Sequence, residues 1–131
     1  VEHALDHNVA LLVRDQKGAS ILFAPSVSAP SEAIAIAAHD VDVVFFDGAF
    51  WRDEELIALD LDRQTARDLG HWPLYGDEGS LRFLAKLPAA TKKILVNVSH
   101  TNPMLSPTSR ERGLVEAAGV DVGYDGLELA L

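Results

Sequence analysis

Short apolar runs alternate with polar turns along the chain, and their spacing predicts a mixed order of strands and helices. Asn8 to Asp15 (NVALLVRD) and Ser20 to Ala24 flank Gln16-Lys17-Gly18-Ala19, so the pair predicts a β-hairpin closed by a Gly-containing turn. Pro25 to Ser31 is a Pro/Ser-rich connection, and Glu32 to Ala38 predicts an Ala/Ile helix ended by His39-Asp40. Val41 to Phe46 is nearly continuous in β-branched and aromatic residues, the mark of a central strand covered on both faces.

Arg52 to Leu61 and Arg63 to Leu69 are short, charged helical candidates. Asp77 to Leu87 places Leu81, Leu84 and Leu87 on one side of an amphipathic helix that Pro88 ends. Lys93 to Val98 predicts a second buried strand. Thr108-Ser109-Arg110-Glu111 has the form of a capping box opening a helix that Gly119 closes. Val120 to Tyr124 and Leu127 to Leu129 are extended pieces around the turn Asp125-Gly126. The order is that of the mixed α/β classes. With 131 residues and 48% hydrophobic positions, the whole span predicts one packed domain.

The charge balance narrows the partners. Twenty acidic against 11 basic residues give a net charge of −9, which disfavours a grip on phosphate backbones or on an anionic membrane surface. No apolar run approaches the roughly 20 residues that cross a bilayer. With no cysteine there is no thiolate metal site, so any metal needs His, Asp, Glu or Asn, and a reduced, cytoplasmic compartment is the natural expectation. The first residues, Val1 to His7, have neither an initiator Met nor the form of a signal peptide, which suggests a piece of a longer chain.

Three clusters carry candidate chemistry. Phe45-Phe46-Asp47-Gly48-Ala49-Phe50-Trp51 ends a buried strand in a carboxylate and a Gly turn, where ligands of α/β sheets gather. The plain alternative is that Asp47 caps the turn. Gly70-His71 lies in a loop between helical candidates, where a lone histidine is more often a packed or solvated residue than a catalytic one. Asn97-Val98-Ser99-His100-Thr101-Asn102-Pro103 again follows a buried strand, and its side chains serve chemistry or merely satisfy turn amides. His3 and His7 flank Asp6, but the strand-like residues beyond them give no metal-binding helix face.

Taken together, FFDGAFW at 45–51, Gly70-His71, Thr101-Asn102-Pro103, Glu116-Ala117-Ala118-Gly119 and Tyr124-Asp125-Gly126 resemble the pyrroloquinoline quinone (PQQ) biosynthesis protein B family over nearly the whole chain. The resemblance implies the C-terminal half of a metallo-β-lactamase-like αββα sandwich. It implies Asp47 as a metal ligand, with Asn97 and His100 as further candidates, and His71 and His100 as catalytic or orienting groups. It also implies a divalent metal, iron or zinc, in a site left incomplete because the His-rich motif belongs to the other half.

At the strand end where the family has a histidine, this chain has Asn97, a poorer ligand than imidazole. His100 takes that place only if its loop bends inward. The implied function is metal-dependent hydroxylation of a tyrosine-derived or peptide-derived quinone precursor. The alternatives are a non-catalytic carrier of the quinone or its precursor, and a metal-dependent hydrolase. An apolar sheet face, left open by the missing half, calls for that half or a second copy to cover it.

Overall fold

A computed structural model describes residues 9–131, so His3 and His7 lie outside the described residues. Strands β1 (Leu11–Arg14) and β2 (Ser20–Ala24) form the expected antiparallel hairpin. Asp15 Oδ1 accepts the Lys17 and Ala19 amides, and Gly18 takes the positive φ of 94° that the turn needs. Helix α1 (Glu32–His39) starts at Ser31, whose hydroxyl accepts the Ile34 amide. Strands β3 (Val43–Asp47), β4 (Lys92–Val96) and β5 (Asp121–Val122) complete a sheet in the order β1-β2-β3-β4-β5, with every pairing after the hairpin parallel.

The strands alternate between two unlike faces. Leu22, Ala24, Val44, Phe46 and Leu95 point to the covered one, where they meet Ala38 of α1, Leu84 of α3 (Ser80–Ala85) and Val115 of α4 (Arg110–Ala117). Phe46 packs with Trp72 and Phe83 at ring separations of 6.3 and 5.6 Å. Across the sheet, Leu11 pairs with Phe23 and Phe23 with Phe45, which places these side chains together on the opposite face. There Leu11 and Val13 are more than half exposed, and Phe23 is 40% exposed. The chain thus provides one sheet and one helical layer.

Several predicted elements are shorter than the periodicity suggests. Arg63 to Leu69 is a set of turns rather than a helix, because side chains take over the amides. Asp62 Oδ1 accepts from Arg63 and Gln64, while Thr65 and Asp68 each accept the other's amide. Of Arg52 to Leu61 only α2 (Glu55–Ala58) is helical, and Asp60 follows it at φ 58°.

Asp77 to Leu87 shortens to α3, since Gly76 and Gly79 shape a turn before it. The capping box sits one residue later than its pattern suggests, with the Ser109 hydroxyl accepting the Arg112 amide. The β4 strand stops at Val96 because Asn97 turns to φ 59°, and Leu127 to Leu129 joins no strand.

Candidate functional site

Because β2, β3 and β4 run parallel, their carboxyl ends lie at one edge of the sheet, and the loops that leave them meet there. Asp47, the last residue of β3, is fully buried. Its Oδ1 accepts the Ala49 amide at 3.0 Å. Its Oδ2 accepts the Val27 amide at 2.9 Å and faces His71 Nδ1 at 2.7 Å. Three of the roughly four lone-pair positions of a carboxylate are therefore engaged by the protein itself.

Gly48 is required by close approach rather than by an unusual φ. A Cβ there would sit 2.8 Å from Leu95 Cβ and 3.3 Å from the Val96 carbonyl.

His71 is delivered to this carboxylate by the turns that replace the predicted helix. Its amide donates to the Ala66 carbonyl at 2.9 Å, and the next amide, of Trp72, donates to Val27 O. The imidazole rests edge-on against Phe50 at 5.6 Å, with 17% of the side chain exposed. Among the described residues its Nε2 has no hydrogen-bond partner.

The loop after β4 closes over the same end. Asn102, nearly fully buried, donates from Nδ2 to the Gly48 carbonyl at 3.0 Å, while its Oδ1 caps the 3-10 turn Pro103–Leu105. The Thr-Asn-Pro motif therefore clamps the Asp-Gly turn. Asn97 is exposed, and its Nδ2 donates to the Pro25 carbonyl at 3.1 Å, joining the ends of β4 and β2. His100 is exposed on the following turn.

The structure thus joins Asp47 and His71 directly. It places Asn97 and His100 in the neighbouring loop, with no hydrogen bond from either to that pair. Among the described residues no three His, Cys, Asp or Glu side chains converge as a metal-binding group.

One residue escaped the sequence reading. Glu55 is nearly buried, with Oε1 accepting the Trp51 amide at 2.8 Å and Oε2 accepting the Thr101 hydroxyl. In the run Arg52-Asp53-Glu54-Glu55 it looks like any solvated acid. Its only hint is its place four residues after Trp51.

Proteins of known role share this arrangement of chain. Coenzyme PQQ synthesis protein B of Cupriavidus necator is 38% identical over 125 residues, which cover 95% of this chain and 41% of the relative. The chain belongs to the coenzyme PQQ synthesis protein B family, of which it matches the C-terminal part. The Klebsiella pneumoniae member is 36% identical over 126 residues, with the same two coverages. The crystal structure of Zn(2+)-bound PqqB from Methylobacterium extorquens superimposes with a TM-score of 0.88 at 29% identity, over 95% of this chain and 44% of that one.

The fold is accordingly the metallo-β-lactamase-like one, with a mixed five-stranded sheet. No protein-family model matches the chain. It spans about 41% of the length of the PQQ synthesis B relatives it matches. Among the described residues no helix is long and apolar enough to cross a membrane.

The described residues do not by themselves make a divalent-metal site at this end of the sheet. An imidazole with Nδ1 held by a buried carboxylate and Nε2 left open is the form in which proteins offer histidine to such ions. The described residues supply that one oriented donor, and a complete set needs further ones.

Proposed function

We propose that this chain forms the C-terminal part of a PQQ-biosynthetic protein that oxidises, by metal-dependent hydroxylation, a tyrosine-derived or peptide-derived quinone precursor. The observation that carries the reading is the 2.7 Å contact between Asp47 Oδ2 and His71 Nδ1. It supports a division of labour opposite to the one the family resemblance implies. Asp47, enclosed by three protein donors, orients the ring, and His71 presents Nε2 to a metal or a proton.

A bound divalent ion would supply Lewis acidity there, and iron would supply the electron transfer by which dioxygen, the oxidant and oxygen source, hydroxylates the precursor. His71 holds its ring plane through Asp47 on one side and Phe50 on the other. Asn97 and His100, on the adjacent loop, are the further donors this chain offers. The remaining donors come from the rest of the longer protein, which also covers the exposed face of Leu11, Val13 and Phe23; a second copy is the other candidate cover.

The test is made on the longer protein. Precursor hydroxylation and bound metal are measured for wild type and His71→Ala. The expected result is loss of both, and full turnover by His71→Ala contradicts the proposal.

A second reading, a non-catalytic carrier of the quinone or its precursor, is favoured by one contact. The Asn97 amide, standing where the family places histidine, is engaged with Pro25 O. Precursor binding without turnover in metal-loaded wild type supports that reading.

A further inference from the structure

A cavity of about 360 Å³ lies between α3 and the turns at 66–72, and none of Asp47, His71, Asn97 and His100 lines it. Trp72 and Phe83 form its aromatic wall, with rings 5.6 Å apart, and Pro30 adds an apolar edge. The Trp72 ring is held from two sides. Its amide donates to the Val27 carbonyl, and its indole Nε1 donates to the Glu78 carbonyl at 2.8 Å.

The charges of this cavity run against those of the whole chain. Arg67, Arg82 and Lys86 line it with Asp77 and Glu78, so three cations against two carboxylates leave one positive charge in excess, in a chain of net charge −9. Arg82 is paired with Asp77 at 3.3 Å. Among the described residues Arg67 and Lys86 have no ion-pair partner. The Arg67 stem starts from a fixed point, since its amide donates to Asp53 Oδ1 and its carbonyl accepts the Gly70 amide.

Apolar walls with a few charged groups, at this volume, are the usual form of a small-molecule site. The aromatic wall suits a flat apolar body, and the free cations suit an anionic group. Inorganic phosphate answers the charge and leaves Trp72 and Phe83 without a contact, whereas a neutral aromatic leaves Arg67 and Lys86 unmatched. We propose that this cavity binds a small aromatic carboxylate, its ring against Trp72 and Phe83 and its carboxylate paired with Arg67 and Lys86. The inference stands apart from the reading of Asp47 and His71.

The experiment uses the longer protein, labelled with nitrogen-15 at tryptophan, and 3-phenylpropionate as the probe. The Trp72 indole N–H, bonded to Glu78 O, reports contact with this wall through its chemical shift, and calorimetry gives the affinity. A Kd on the order of 1 mM is expected, ordinary for a ligand of this size. Arg67→Gln and Lys86→Gln each weaken the acid about threefold, and together about tenfold, the scale of partly exposed ion pairs. The uncharged 3-phenylpropanol binds about tenfold more weakly than the acid and is indifferent to both substitutions. Both side chains are exposed, so the variants are expected to melt with the wild type.

An affinity for the acid unchanged in the double variant overturns the inference, as does an alcohol that binds as tightly as the acid. A Trp72 indole that does not shift at about 10 mM probe does the same. Inorganic phosphate binding as tightly as the acid also overturns it, since the aromatic wall then plays no part. If the double variant fails to fold, the two single variants decide.

Discussion

Asp47 Oδ2 and His71 Nδ1 lie 2.7 Å apart at the carboxyl end of the sheet, although 24 residues separate them in the chain. The contact depends on two loops that each serve the other. The segment through Val27 gives one amide to Asp47 and takes one from Trp72, beside His71. The carboxylate thus organises the end of the sheet as well as the imidazole.

Removing that carboxylate is therefore expected to cost stability. Asp47→Ala leaves the buried Val27 and Ala49 amides without their acceptor, each a loss of about 1–3 kcal/mol. Equilibrium unfolding of the longer protein in urea is the measurement, with a lowered midpoint and an unaltered slope as the expected result. A midpoint equal to wild type means that these amides find other partners.

The turn after β3 leaves no room for a side chain. Gly48→Ala forces a Cβ to 2.8 Å from Leu95 Cβ, and relief requires the turn to move from the Val96 carbonyl and from Asn102 Nδ2. Overpacking of this kind costs about 1–3 kcal/mol. A lower melting temperature and weaker zinc binding are expected together, because the shifted turn carries the Ala49 amide that holds Asp47.

Much of this fold was legible in the sequence, and the reasons differ by element. The hairpin, α1 and the buried β3 run carry strong local signals: Gly18 in a turn, Ser31 as a cap, and a nearly unbroken series of β-branched and aromatic residues. Arg63 to Leu69 misleads because Asp62, Thr65 and Asp68 bond to nearby amides, a competition that hydrophobic periodicity does not register.

At the site, Asp47 and His71 are singled out by residue type and position, but their direct bond depends on tertiary folding. The direction of the carboxylate, inward onto amides, is likewise set by partners distant in sequence. Glu55 is hidden among acids of the same type. Asn102 stands out as part of a motif, and the structure gives that motif a mechanical role.

Asn97 offers a gain-of-function experiment. Its φ of 59° is one that Asn and His both adopt more readily than most residues, so Asn97→His suits the backbone. The substitution trades an amide bonded to Pro25 O for an imidazole, a far better donor for zinc. Zinc titration of the longer protein is expected to show affinity at least about tenfold above wild type, within the range over which a histidine's surroundings alone shift metal binding. No gain indicates that the end of β4 faces away from the metal.

The most direct measurement concerns the ring itself. Nitrogen-15 NMR of labelled His71, in the metal-free longer protein and at a pH where the ring is neutral, reports which nitrogen carries the proton. The account predicts Nδ1–H with a bare Nε2, and a shift of that equilibrium in Asp47→Asn. A proton resting on Nε2 in wild type, or a ring indifferent to Asp47→Asn, contradicts it.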